Sequence, residues 1–63
     1  MSVLERVTQE ANELRSRLDR LREFIFTPAY KELTDNHQML LAKQSAAMNE
    51  YLTILNLRIA DLS

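Results

Sequence analysis

Residues 4–25 read LERVTQEANELRSRLDRLREFI, and this stretch decides the fold class. Its apolar side chains recur at alternating steps of three and four residues, at Leu4, Val7, Ala11, Leu14, Leu18, Leu21 and Ile25. This spacing keeps one seam of an α-helix facing a partner helix. Just upstream, Ser2 and Glu5 have the spacing of a capping box, which places the helix start near Val3. We therefore predict a first helix, helix A, over about residues 3–25.

The dipeptide Thr27-Pro28 predicts the end of helix A, because a proline disfavours helical geometry at the residue before it. Thr27 is also a residue type that caps helices, and Pro28 is tolerated at a first helical position, where its missing N–H is not needed. We therefore expect a short helix or helical turn over about residues 28–33. Thr34 or Asp35 should then cap the next element.

A second long helix, helix C, is predicted over about residues 36–62, and it carries two apolar stripes instead of one. The main stripe consists of Leu41, Met48, Leu52, Leu55, Ile59 and Leu62. The second stripe, beside it, consists of Leu40, Ala47, Tyr51 and Ile54. A helix that packs on one partner needs only one stripe. Helix A covers one of the two, so we expect the other to face another chain.

The small size of the chain also favours self-association. A domain of 63 residues buries little of its surface and usually depends on disulfides, a metal or a partner chain. The sequence has no cysteine, which excludes disulfides and thiolate metal sites. Oligomerisation is the stabilising device that remains.

The fold prediction is therefore all-α: one domain, residues 1–63, forming an antiparallel helical hairpin with a long helix, a short turn helix and a long helix. The hairpins should assemble as an oligomeric helical bundle. Two hairpins in a four-helix bundle is the simplest form, and a trimer or a larger ring stays open. The predicted oligomer core consists of Leu14, Leu18, Leu21, Leu41, Met48, Tyr51, Leu52, Leu55 and Ile59.

Charge and hydropathy exclude several function classes. Eight basic and nine acidic residues give a net charge of −1, which provides no general attraction to nucleic acid or to anionic lipid. No window approaches the ~18 apolar residues of a membrane helix. The first six residues lack the basic-then-apolar order of a signal peptide. We expect a cytoplasmic protein without a membrane or nucleic-acid partner.

Residue constellations typical of enzymes are missing from the sequence. The only histidine, His37, falls in the first turn of helix C without an HExxH context, and no cysteine accompanies it. No glycine is present to form a phosphate-binding loop. We therefore predict a protein that is not an enzyme and that has no metal and no cofactor.

Four arginines, Arg15, Arg17, Arg20 and Arg22, fall within eight residues of helix A. They have two interpretations. As charges flanking the seam, they set the partner and direction of the helix while their stems cover apolar surface. Alternatively, oligomerisation gathers Arg15, Arg17 and Arg22 with Lys31 into an anion pocket, since guanidinium groups bind phosphate with two parallel hydrogen bonds.

Aromatic side chains cluster near the turn, at Phe24, Phe26 and Tyr30. They also have two interpretations. They can form a plug that closes the end of the hairpin core, although Phe24 and Phe26 cannot both face one seam, so one of them should be exposed and available to a partner. Alternatively, Tyr30 with Arg22 and Lys31 stacks a base and holds a phosphate.

Four segments together resemble a known type of protein: LREFIFTPAYKEL at 21–33, QMLLAKQ at 38–44, MNEY at 48–51 and ILNLRI at 54–59. They are similar to short, uncharacterised helical-hairpin accessory proteins of bacteriophages and prophages. The resemblance implies a small accessory protein that acts by binding: it blocks a host defence protein, sequesters a defence signal or modifies a host regulator. It brings no catalytic residues with it.

The residues and the resemblance leave three functional hypotheses open. The first is a phage-type binding protein that antagonises a host defence or regulatory factor, with an exposed patch around Phe24 and Phe26. The second is an oligomeric sponge for a small anionic nucleotide-like signal, held by arginines from two chains. The third is a plain oligomerisation or scaffold module, in which every arginine near the seam is paired with an acid.

Overall fold

The computed structural model describes all 63 residues and contains three helices and no strand. The helices are α1 (Val3–Ile25), α2 (Pro28–Lys31) and α3 (Asp35–Leu62). The beginning of α1 packs against the end of α3, so the two long helices are antiparallel, and the molecule is a rod of 43 × 14 × 14 Å. The predicted all-α hairpin, with a long, a short and a long helix in that order, is confirmed.

Both ends of α1 lie where the sequence predicts them, and local hydrogen bonds explain why. The Ser2 hydroxyl accepts the Glu5 N–H at 3.1 Å, which satisfies one of the free donors of the first turn. At the other end, the Thr27 hydroxyl donates to the Phe24 carbonyl at 2.7 Å. Thr27 precedes α2 but makes no side-chain cap on it. The Thr27 hydroxyl therefore caps the C-terminal end of α1 and does not cap the N-terminus of α2.

The connection between the long helices differs slightly from the prediction. The short helix ends at Lys31, whereas we expected helical structure to residue 33, and α3 begins at Asp35, one residue early. Of the two candidate caps, Thr34 is the one used: its hydroxyl accepts the His37 N–H at 3.1 Å. Asp35 is the first helical residue, where its negative charge stabilises the helix N-terminus.

Gln38 holds this connection together. Its side-chain amide donates to the Leu33 carbonyl at 2.9 Å and to the Lys31 carbonyl at 3.3 Å. Its backbone carbonyl accepts the Tyr30 hydroxyl at 2.9 Å. One side chain thereby satisfies the carbonyl of the last residue of α2 and a carbonyl of the connection that follows it. This network fixes the angle at which the chain enters α3.

The core is the seam of α1 packed against α3. Five side chains are buried: Val7, Ala11, Leu14, Leu18 and Leu55. Met48, Leu52 and Ile59 are partly buried and pack against them. Leu18 and Leu55 are completely shielded from solvent, and burial of a leucine stabilises the fold by roughly 1.5–3 kcal/mol. The apolar seam of α1 is therefore buried against α3 of the same chain and forms the core of the hairpin.

The single chain buries or half-buries all but one of the residues predicted for the oligomer core. The exception is Tyr51, which is 45% exposed. It belongs to the second stripe of α3, whose members Leu40, Ala47, Tyr51 and Ile54 are all exposed. We call these four residues the outer stripe. The sequence predicted that α1 leaves this stripe uncovered, and the structure agrees.

Shortening either fully buried leucine tests the seam. Leu18→Ala or Leu55→Ala should each destabilise the protein by about 2–5 kcal/mol, because each leaves a cavity in a core of very few residues. The measurement is denaturant unfolding followed by helical circular dichroism at one fixed protein concentration. Leu57→Ala, at a position 65% exposed, is the matched control and should change little. Equal unfolding midpoints for all three variants would contradict the packing described.

Gln38→Glu tests the connection. The carboxylate cannot donate to the Lys31 and Leu33 carbonyls and faces their oxygens instead, so we expect a loss of about 1–3 kcal/mol. Asn12→Asp makes the same chemical change at an exposed position of α1 and should be nearly neutral. Comparable unfolding midpoints for the two variants would show that the Gln38 network contributes nothing.

Candidate functional site

The arginines of α1 do not converge within one chain. Arg15 and Arg22 are one heptad apart and lie on the same flank of the helix. Arg17 is two residues from Arg15, which places it about 160° away around the helix axis. The predicted trio is therefore divided between two sides of the hairpin, and all three side chains are exposed.

Arg22 bridges the two long helices through a neutral partner. Its Nη2 donates to Oδ1 of Asn49 on α3 at 3.0 Å. Because the partner is an amide, the bond orients the guanidinium group without neutralising its charge. Sequence reasoning missed Asn49, since the pairing depends on the register of α1 against α3. Packing of the α1 seam around Leu55 sets that register, in which Asn49 lies opposite Arg22.

Arg17 and Arg20 lie together on the other part of the α1 surface. With Glu13 and Ser16 they line a shallow open depression. Nη1 of Arg20 donates to the Ser16 hydroxyl at 2.9 Å, again a neutral partner. Two cations and one carboxylate share this depression, and no side chain of α3 contributes to it. Alone, it is a charged helix surface rather than an enclosed site.

Two of the three aromatic residues near the turn, Phe24 and Tyr30, pack against each other. The rings of Phe24 and Tyr30 meet edge to face, with centroids 6.3 Å apart and planes at 87°. The Tyr30 hydroxyl is engaged with the Gln38 carbonyl. Both ends of the Tyr30 side chain therefore have a structural role. Lys31 stays exposed beside it.

Phe26 is the aromatic residue that the turn leaves exposed. Its side chain is 88% exposed, whereas that of Phe24 is 36% exposed. Phe26 lines a shallow depression together with Asp19, Arg22 and Glu23. An apolar ring surrounded by charged groups of both signs resembles the anchor and rim of a protein-binding surface. We call these four residues the Phe26 patch.

The opposite end of the rod carries an apolar groove that sequence reasoning did not select. Its volume is about 360 Å³, and its lining is Val3, Ile54, Leu57, Arg58, Asp61 and Leu62. Arg58 also borders an adjoining, more polar depression on the α1 side, with Arg6 and Glu10. The available signal was Leu57, an apolar residue that belongs to neither stripe of α3.

The structure contains no group of three or more His, Asp or Glu side chains arranged to hold a metal ion. His37 is exposed at the start of α3. None of the helices combines the length and the apolar character needed to cross a membrane.

Comparison with known proteins identifies a family for the chain. No curated protein and no solved structure is significantly similar to the chain. A family model described as Sequestin matches residues 1–61, which include both long helices and the connection except for the last residue of α3. The name of the family suggests a binding or sequestering role. Because the match extends over nearly the whole sequence, the chain belongs to the Sequestin family.

Proposed function

We propose that this protein is a non-enzymatic, phage-type accessory protein that works as a homo-oligomer in the host cytoplasm and sequesters a host defence or regulatory factor. The observation that carries the proposal is the distribution of apolar side chains. Ten large apolar residues are exposed, against five residues in the core. Single exposed apolar residues are common on soluble proteins, but grouped ones mark binding surfaces.

Seven of these ten exposed apolar residues lie on three surfaces, and each surface suits a different contact. The outer stripe runs along α3 and has the period of a helix–helix seam. The Phe26 patch lies at the end of the rod that contains the connection. The groove bordered by Leu57 lies at the other end. The outer stripe fits another copy of the chain, which leaves the two ends of the rod for a further partner.

The Phe26 patch is our first choice for the sequestered protein. A ring that is 88% exposed is available to fill a pocket on a partner, and aromatic anchors of this kind dominate the energy of many interfaces. Asp19, Arg22 and Glu23 provide a charged rim that can select the partner by electrostatic complementarity. The family description and the resemblance to phage accessory proteins support the same role.

A second candidate function, a sponge for a small anionic nucleotide-like signal, is favoured by the partners of the arginines. Arg20 and Arg22 donate to the neutral groups of Ser16 and Asn49. A plain scaffold module predicts arginines paired with acids instead. Cations with neutral partners keep their charge available for an anion. In the sponge, two copies of the chain combine arginines that a single copy holds on opposite flanks.

Native mass spectrometry of protein purified gently from bacterial cells separates these candidates. For the first choice we expect an oligomer with a bound protein, which Phe26→Ser removes while the oligomer persists, because the partner loses its apolar anchor. Met39→Ser is the matched control: it makes the same kind of change at an exposed apolar residue that lies on none of these three surfaces, and it should keep that partner.

For the sponge, the same measurement should show an oligomer with a few hundred daltons of added mass per site. Arg22→Glu should remove that mass, because it reverses the charge that faces the anion, whereas Phe26→Ser should not. A bare oligomer, unchanged by either substitution, would contradict both candidates and favour a scaffold. A monomer at all protein concentrations would contradict the homo-oligomer.

A further inference from the structure

A polar residue, Gln44, fills the gap in the outer stripe of α3. Gln44 falls between Leu40 and Ala47, so the exposed positions are 40, 44, 47, 51 and 54, with alternating steps of four and three residues. This is a second complete heptad seam. Leu40, Tyr51 and Ile54 are each between 45% and 49% exposed, so no other part of the chain covers it.

We propose that a second copy of this chain docks antiparallel on the outer stripe, with Lys43 of each copy paired with Glu50 of the other. The proposal rests on the homo-oligomer in the proposed function and deepens it, because it names the contacting face, its direction and its register.

The spacing of the stripe indicates that the element docked on it is a helix. Side chains that repeat every 3.5 residues stay in line only against another helix that crosses at a small angle. The stripe runs over residues 40–54, about 21 Å at 1.5 Å per residue, within the 28 residues of α3. A copy of α3 offers the same length and the same seam, so the contact can be self-complementary about a two-fold axis.

The direction follows from what flanks the stripe. On the side facing α1 the flanking positions are Met48 and Leu55, which pack in the hairpin seam. On the free side they are Lys43, Glu50 and Leu57, all exposed. Parallel copies would place Lys43 and Glu50 against the apolar flank of the neighbour. Antiparallel copies place the free flank of one against the free flank of the other, so charged groups face charged groups.

The register follows from the signs of these charges. Two antiparallel copies of α3 can shift along each other by whole heptads. Three of the resulting registers bring Lys43 or Glu50 opposite a charged residue of the other copy. In the first, Lys43 faces Lys43, and in the third, Glu50 faces Glu50, so like charges repel. In the middle register Lys43 faces Glu50, and the two-fold axis repeats the pair. Charge complementarity therefore selects the middle register.

Side-chain sizes within the stripe agree with the middle register. Leu40 of one copy lies opposite Tyr51 of the other, and Gln44 lies opposite Ala47, so the long amide side chain meets a small neighbour. Each contact occurs twice because of the symmetry. The aliphatic part of Gln44 is covered while its amide reaches the edge of the interface, where water remains accessible.

Charge reversal with rescue tests the proposal. The variants are Lys43→Glu, Glu50→Lys and the double variant with both changes, studied by sedimentation velocity over a range of protein concentrations. Each single change turns both attractive pairs into repulsive ones, and we expect the dissociation constant of the contact to rise about 10-fold or more. The double variant restores two opposite-charge pairs and should return to within a few fold of the original protein.

Mixing the two single variants provides an independent readout. One copy then carries two glutamates and the other two lysines on the free flank, so the mixture should associate at least as well as the original protein. Glu13→Lys, which makes the same charge change as Glu50→Lys at an exposed site on α1, is the control and should leave association unchanged.

Two outcomes would overturn the proposal. Single variants that associate as the original protein does would show that these charges do not face each other. A double variant weaker than either single variant would exclude the register. In both cases an oligomer that persists through another face leaves the proposed function intact, whereas an original protein that stays monomeric at every concentration contradicts both.

Discussion

Burial of the α1 seam against α3 is the interaction on which the rest of the molecule depends. Two leucines, Leu18 and Leu55, are completely shielded, and the other buried residues lie along the same line. This packing sets the register that brings Arg22 to Asn49. It also aligns the helix ends that the Gln38 network joins. A two-helix rod can bury only one face of each helix, so every other face is left to solvent or to a partner.

The two long helices use their remaining faces differently. α1 carries ten charged residues in 23 positions, whereas α3 carries five in 28. The outward faces of α1 are therefore a surface of guanidinium and carboxylate groups. The outward face of α3 is apolar along the outer stripe and tolerates few charges. This division fits a protein that associates through α3 and presents α1 and the ends of the rod to what it binds.

The ends of the helices can be predicted from the residue types around them. The choice between two neighbouring residues for one role requires the three-dimensional structure. A capping box and a Thr-Pro dipeptide locate both ends of α1. Thr34 and Asp35 both have the chemistry of a cap, and only the backbone path decides between them. Tyr51 is predicted for the oligomer core, and it is exposed in the single chain because it lies on the outer stripe. Arg15 and Arg17 are close in sequence but about 160° apart around the helix axis, and the packing of the seam decides which flank of the hairpin each of them occupies.

The separation of the arginines on two flanks of α1 determines how the protein could bind an anion. Since one chain cannot bring both flanks to a single anion, any site that uses arginines from both must form between copies. Binding would then occur only in the assembled protein, and the ligand would stabilise the assembly by mass action, by RT ln(1 + [L]/Kd) per site. A protein anchored on the Phe26 patch has no such requirement, because one chain carries the whole patch. In the sponge, the binding site therefore forms only when copies assemble. For a captured protein, each copy already carries a complete Phe26 patch, and assembly only increases the number of patches in one particle.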